Sequence, residues 1–206
     1  MTWVVVAVLA CVPAHAAEII DRVIAVVNGA VITLSDMQAA VRLGVVPVPE
    51  GQGRGAAVLE RLIERRLTLT EVNRYASGEP SSALVDERLR QVKARFATDE
   101  DLGRVLAEVG VTPDQLRAYL RDEVRIETYL QQRFSGGGQP ADAEILDYYR
   151  AHPQDFMRNG LALTFSEAYD DARAAVIRER RDRLAREWIA GLRRRADVTI
   201  PAVVRR

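Results

Sequence analysis

Apolar residues follow two different spacings along the chain, and each spacing predicts a type of element. Over 19–34 they are β-branched and closely spaced, and Asn28-Gly29 divides them into two runs. A tight two-residue turn needs two positions with φ > 0, which Asn and Gly adopt readily. We therefore predict a β-hairpin over 19–34, followed by a helix that Ser35 caps, with Gln38 closing a capping box.

Most of the remaining chain carries apolar residues at intervals of three and four, the spacing of helices with one buried face. Glycine and proline interrupt this spacing at a loop over 45–55 and at a linker over 135–140. Five further helices are predicted. They are 56–75, one that starts at Ser81 or Ser82 and includes Phe96, one from Asp99 to Gly110, one from the Thr112-Pro113 start signal to Phe134, and 141–152.

The end of the chain contains a long helix and then a short strand. The helix is expected to start at a Ser166 cap and to run to about Arg195. Val198-Thr199-Ile200 alternates before Pro201, as an edge strand does, and is placed to extend the opening hairpin. The expected fold is mainly α, with an N-terminal β-hairpin that this strand joins.

The first 16 residues have the pattern of a secretory signal peptide. An apolar run from Trp3 to Ala10 ends in Ala14-His15-Ala16, so we predict cleavage after Ala16, export to the periplasm and a single domain over 17–206. The run is shorter than the ~20 apolar residues that a transmembrane helix needs. Two alternatives stay open, a buried N-terminal element and a lipoprotein site in which Cys11 carries the lipid.

The charge balance argues against a nucleic-acid partner. Lys plus Arg and Asp plus Glu are 29 each, so the chain offers no general attraction to a polyanion. The glycine-rich stretch 51–55 precedes a helix, as a phosphate-binding loop does. It follows two prolines instead of a buried strand, however, and no Gly-Lys-Ser/Thr follows. We interpret it as a flexible loop and expect no nucleotide.

Few residues in the chain after the signal peptide are suited to metal binding or nucleophilic catalysis. This part has no cysteine, and His152 is its one histidine. Cys/His nucleophiles and the usual zinc and iron–sulfur ligand sets are thereby excluded, and we expect no metal and no cofactor. Because Pro153 follows His152, we predict that this imidazole caps the carboxyl end of a helix.

Four stretches resemble the SurA-type periplasmic foldases, a family whose mature chains open with a hairpin that leads into a helix. The most specific is DRVIAVVNGAVITLSD at 21–36, and LIERRL at 62–67 agrees with it. The residues from Glu144 to Phe156 and the ending over 188–200 are also similar to the family. The resemblance covers most of residues 18–200.

The resemblance implies a chaperone core that holds extended, aromatic-rich client segments without nucleotide. SurA-type proteins also carry parvulin prolyl-isomerase domains before the closing helix. Here only residues 157–164 separate Phe156 from Phe165, and a domain needs ~50 residues or more. We therefore expect an ATP-independent chaperone of unfolded proteins, including outer-membrane proteins, that is not an enzyme. An adaptor subunit of an envelope assembly and a prolyl isomerase are the alternatives.

The same resemblance directs attention to aromatic residues as the client-binding site. The predicted client-facing cluster consists of Phe134, Tyr148, Tyr149, Phe156 and Trp188. Each of them is also a candidate core residue, since exposed apolar stripes on a monomer are rare.

Overall fold

The computed structural model describes residues 21–48, 50–51, 53–76, 78–136 and 138–201. The predicted signal peptide and Cys11 lie outside this part of the chain. The described residues are mainly helical, which confirms the predicted fold class. The helices are α1 Leu34–Arg42, α2 Arg54–Tyr75, α3 Ser82–Lys93, α4 Asp99–Glu108, α5 Pro113–Arg133, α6 Asp142–Ala151 and α7 Phe165–Arg195. The strands are β1 Val23–Val27, β2 Ala30–Thr33, β3 Met157–Arg158, β4 Leu161–Ala162 and β5 Val198–Thr199.

The opening hairpin and the last strand form one antiparallel sheet in the order β2-β1-β5. Asn28 and Gly29 take φ values of 48° and 82°, as the predicted turn requires. The Asn28 amide donates to the Asp197 carbonyl at 2.8 Å, and the Asn28 side-chain oxygen accepts from the Asp197 amide at 3.0 Å. The predicted joining of the hairpin by a C-terminal strand is thus confirmed, with β5 ending at Thr199.

Two helix starts differ from the prediction by two residues. Thr33, and not Ser35, caps α1, because the Asp36 carboxylate lies three residues on and accepts from the Thr33 amide at 2.9 Å. The predicted Ser35–Gln38 box is therefore wrong. In the same way Thr164 replaces Ser166 as the cap of α7, with Glu167 closing the box. The box that was predicted at the start of α5, between Thr112 and Gln115, is present.

Four clusters of buried side chains hold the elements together. The sheet packs on α2 in the first cluster, and α1, α3, α4 and α5 share the second. The third joins α6, a 3-10 turn over Pro153–Phe156 and the start of α7. The fourth lies between α2, α5 and Trp188 of α7. Helix α7 therefore connects the third cluster with the fourth and, through Leu192, with the sheet.

A second, very small hairpin lies between Phe156 and Phe165. Strands β3 and β4 pair through Met157 with Ala162 and Arg158 with Leu161. Asn159 and Gly160 form its turn, with φ values of 52° and 80°. The sequence analysis missed this hairpin.

Candidate functional site

Two clefts lie next to each other along α5. The α2 cleft, of about 410 Å³, lies between α1, α2 and α5. The α7 cleft, of about 400 Å³, lies between α3, α5 and α7. Both volumes are within the range of sites that bind small molecules or short peptide segments. Val45 lines both clefts, so they adjoin at this residue.

One face of α5 supplies a wall of both clefts. Its lining residues are Gln115, Leu116 and Tyr119 in the α2 cleft, and Leu120, Glu123, Ile126, Glu127, Leu130 and Gln131 in the α7 cleft. They recur at intervals of three and four, as neighbours on one helical face do. From Leu116 to Leu130 the helix rises by roughly 21 Å, the length of about six residues of extended chain.

Arg65 fixes α2 against α5 where the two clefts meet. Its guanidinium lies 3.8 Å from the centre of the Tyr119 ring, and its Nε donates to the Glu123 carboxylate at 2.5 Å. The guanidinium also donates to the Tyr119 carbonyl at 3.3 Å. Burial raises the pKa of Tyr119 to about 12; the charge on Glu123 acts in the same direction and Arg65 opposes it. The phenol is therefore neutral at physiological pH. The contacts of Arg65 with Tyr119 and Glu123 mainly hold α2 against α5.

The charged residues of the α7 cleft already have partners. Arg88 forms an ion pair with Glu127, and Arg181 pairs with Asp182 at 3.1 Å. Arg95 donates to the carbonyl of Gly44. The α7 cleft thus presents apolar side chains beside charges that are paired within the protein.

In the α2 cleft, both carboxylates act locally on the backbone. Asp36 closes the cap of α1, and Asp21 accepts from the Ser35 amide at 3.3 Å. A hydrogen bond from the Thr33 hydroxyl, which contributes most, and the bond from the Ser35 amide lower the pKa of Asp21 below its ordinary value, against the opposing effect of burial. Arg66 also lines this cleft, and its side chain makes no hydrogen bond or ion pair within the described ranges.

The five aromatic residues that the sequence analysis selected lie in two separate groups. Tyr148, Tyr149 and Phe156 pack together, with ring centres 5.4 Å apart for the pair Tyr149–Phe156. Phe134 and Trp188 form the other group, with ring centres 6.0 Å apart. The first group surrounds the start of α7, roughly 30 Å along the helix from Trp188. None of the five lines either cleft.

Within the first group, Phe156 is a core residue with 4% of its surface exposed. Tyr148 and Tyr149 are half-buried, and the Tyr149 hydroxyl donates to the Leu163 carbonyl at 2.6 Å. In the second group, Trp188 belongs to the same apolar cluster as Ile126 and Leu130, which line the α7 cleft. The client-facing role of these five residues stays a prediction.

His152 lies at the end of α6, as predicted. Its Nδ1 is 3.0 Å from the carbonyl oxygen of Tyr148, and its ring stacks on that tyrosine with centres 4.1 Å apart. The imidazole thus interacts with a backbone carbonyl in the last turn of α6.

The sequence analysis did not single out the residues that line the clefts. Arg65 and Arg66 were part of the LIERRL run but were counted only as the polar side of a core helix. The available signal was their position directly beside the apolar stripe, which places a charge at the border of a buried face.

Two further features of the described residues bear on function. They contain no group of three or more His, Cys, Asp or Glu side chains placed to hold a metal ion. None of the helices built from them is both long enough and apolar enough to cross a bilayer.

The fold and the clefts define a mainly helical protein whose small sheet joins segments from both ends of the described chain. No family model matches the sequence. Curated relatives named Chaperone SurA do match it. The protein from Bordetella pertussis (strain Tohama I) is 29% identical over 141 residues, which cover 65% of this chain and 27% of that protein.

Two other relatives with the same name are similar to this degree. The protein from Nitrosospira multiformis is 30% identical over 157 residues, 69% of this chain and 34% of its own length. The protein from Chromobacterium violaceum is 28% identical over 146 residues, with 65% and 33% covered. The match spans about a quarter to a third of these relatives. These similarities support the assignment of the chain to a SurA-like family.

Proposed function

We propose that the protein is an ATP-independent periplasmic chaperone that holds unfolded polypeptides, outer-membrane proteins among them. The similarity to proteins named Chaperone SurA supports a chaperone role. The observation that carries the proposal is the continuous lining of two adjoining clefts by one face of α5. An extended segment of about six residues matches the length of this lining.

Holding a client in this way needs no energy source. An apolar side chain that becomes fully buried contributes about 1.5–3 kcal/mol, and much of this gain is offset by the ordering of a flexible chain. A short segment with two or three buried side chains therefore binds weakly and leaves again spontaneously. Because the charged residues of the α7 cleft already have partners within the protein, the contacts depend little on client sequence.

We further infer that the protein does not catalyse prolyl isomerisation. Residues 157–164, where SurA-type foldases would carry a parvulin domain, form only the β3–β4 hairpin and its connection to α7. A peptide-based isomerase assay tests this inference directly. Measurable acceleration of cis/trans exchange by the purified protein would contradict it.

The holding function can be tested by filling the α7 cleft. Gln131 is exposed and lines this cleft, whereas its neighbour Gln132 is exposed and does not. We expect Gln131→Trp to weaken the suppression of aggregation when an unfolded outer-membrane protein is diluted from urea, as followed by light scattering. Gln132→Trp is the matched control and should behave as the parent protein.

Circular dichroism should show that both variants keep their helical content. If the two variants suppress aggregation equally well, the α7 cleft is not the holding surface. If the parent protein itself does not suppress aggregation, the chaperone proposal fails.

The predicted aromatic cluster is tested separately. Tyr149→Ser and Trp188→Ser should each reduce the suppression of aggregation at unchanged helicity if these side chains face the client. Loss of helicity would instead identify them as core residues.

A further inference from the structure

Four charged side chains line the α2 cleft, and three of them are engaged. Asp21 and Asp36 accept from backbone amides at the start of α1, and Arg65 is held by Glu123 and Tyr119. The fourth, Arg66, has no hydrogen-bond or ion-pair partner in the part of the chain that the structure describes. Among the described residues, the cleft therefore presents one positive charge that is not paired.

Arg66 stands at the border of an apolar floor. It lies one turn after Leu62 on α2, and Leu62, Leu43 and Leu116 line the same cleft as buried residues. Arg66 itself is half-buried. A guanidinium in such a position has five N–H donors and binds a carboxylate through two parallel hydrogen bonds more strongly than it binds a neutral acceptor.

The two carboxylates nearest in the lining are poor partners for Arg66. Each already accepts from a backbone amide, which holds the carboxylate at the start of α1, and a turn toward Arg66 would weaken that bond. A carboxylate from outside the chain meets no such competition. The free charge and the apolar floor together favour a ligand that presents an apolar side chain next to an acid.

We propose that the α2 cleft binds client segments in which a large apolar residue lies beside an aspartate or glutamate, whose carboxylate pairs with Arg66. This inference rests on the proposed chaperone function. The acid is a side chain and not a chain terminus, because an unfolded chain offers many Asp and Glu side chains but only one terminal carboxylate. The α2 cleft would thus give the two adjoining clefts a preference among client sequences, which the α7 cleft alone provides only weakly.

The test uses three fluorescent peptides of eight residues that alternate leucine and serine. The first contains one central glutamate and has an amidated end, and the second has glutamine in place of this glutamate. The third is the glutamine peptide with a free terminal carboxylate. Binding is measured by fluorescence anisotropy with the full chain and with its Arg66→Gln and Arg61→Gln variants.

Arg61 is the matched control. It lies on the same helix with its side chain 63% exposed, it pairs with Glu64 at 3.1 Å, and it does not line the cleft. We expect the parent protein and Arg61→Gln to bind the glutamate peptide about fivefold or more tightly than the glutamine peptide. Arg66→Gln should bind both peptides equally, and high salt should reduce the difference in the parent protein.

Equal binding of the glutamate and glutamine peptides by the parent protein would overturn the proposal, as would a preference that persists in Arg66→Gln. Tighter binding of the third peptide than of the first would overturn the choice of a side-chain carboxylate. If the parent protein still suppresses aggregation in these cases, the chaperone function stands and only the preference for acidic segments is lost. An unchanged unfolding midpoint shows that Arg66→Gln is folded.

Discussion

Substitutions of two buried isoleucines can test whether the described chain unfolds as one unit. Ile63 of α2 and Ile145 of α6 both have 0% of their surface exposed. Ile63 belongs to the cluster that joins the sheet to α2, whereas Ile145 packs with Phe156 and the small residues at the start of α7. Helix α6 packs mainly against α7 and the 3-10 turn. The same substitution, Ile→Ala, can thus be made in two different surroundings.

The expected loss is the same in size at both positions. The change removes three carbon atoms, which at ~0.8 kcal/mol per buried methylene gives ~2.4 kcal/mol for transfer alone. The cavity left behind adds to this value, so the total loss is about 2.5–5 kcal/mol. Because a typical domain is stable by only about 5–15 kcal/mol, each variant loses a large part of the free energy of unfolding.

The assay is hydrogen exchange of backbone amides in the native protein. We expect Ile63→Ala to accelerate exchange throughout the described chain, since the sheet cluster holds both of its ends. Ile145→Ala should accelerate exchange in α6 and the first turns of α7 but leave β1 nearly unchanged, because this region can open without exposing the sheet. Equal acceleration of β1 and α6 amides in Ile145→Ala would refute this reasoning.

Three smaller perturbations have defined outcomes. Thr164→Ala should lower the free energy of unfolding in urea by about 1 kcal/mol, whereas Ser166→Ala should change it by less than about 0.5 kcal/mol; the reverse order would restore Ser166 as the cap. Hydrogen bonds from Thr164 lower the pKa of Glu167 in the folded protein below 4.5, the value for unfolded glutamate. Glu167 therefore stabilises the fold at pH values above 4.5. This contribution is lost as the pH falls through the pKa of Glu167 in the folded protein. The difference in urea midpoint between the parent protein and Glu167→Gln should therefore be larger at pH 7 than at pH 3, and a constant difference would contradict the assignment. Asn28→Ala should cost about 2 kcal/mol by calorimetry, since it removes the acceptor of the Asp197 amide and places alanine at a φ of 48°; an unchanged melting temperature would show that neither effect contributes.

The helices and the sheet could be predicted because their signals are local. The spacing of apolar residues located each helix, and Asn28-Gly29 located the turn of the first hairpin. The two errors in capping had one cause, since a serine inside the first turn was preferred to the threonine before it. In both cases an acid three residues after the threonine, Asp36 or Glu167, was the better signal.

The second hairpin carried the same turn signal as the first. Asn159-Gly160 was overlooked because strands of two residues are too short to show alternation. The clefts could not be predicted for a different reason. They depend on how α2, α3 and α7 are placed around α5, and this placement is a property of packing that no single helix encodes. The same applies to the five aromatic residues, which the length of α7 separates.

The pairing of Val27 with Val198 affects how the sheet forms during synthesis of the chain. The Asn28–Asp197 bond beside it joins residues 169 positions apart, so in a chain produced from its amino end the sheet stays unfinished until residues 197–199 have been made. During that interval the outer edge of β1 is open to adhesion between nascent copies. The strand that finally covers it is two residues long and pairs only with Val26 and Val27, so the part of β1 that waits for this partner is short.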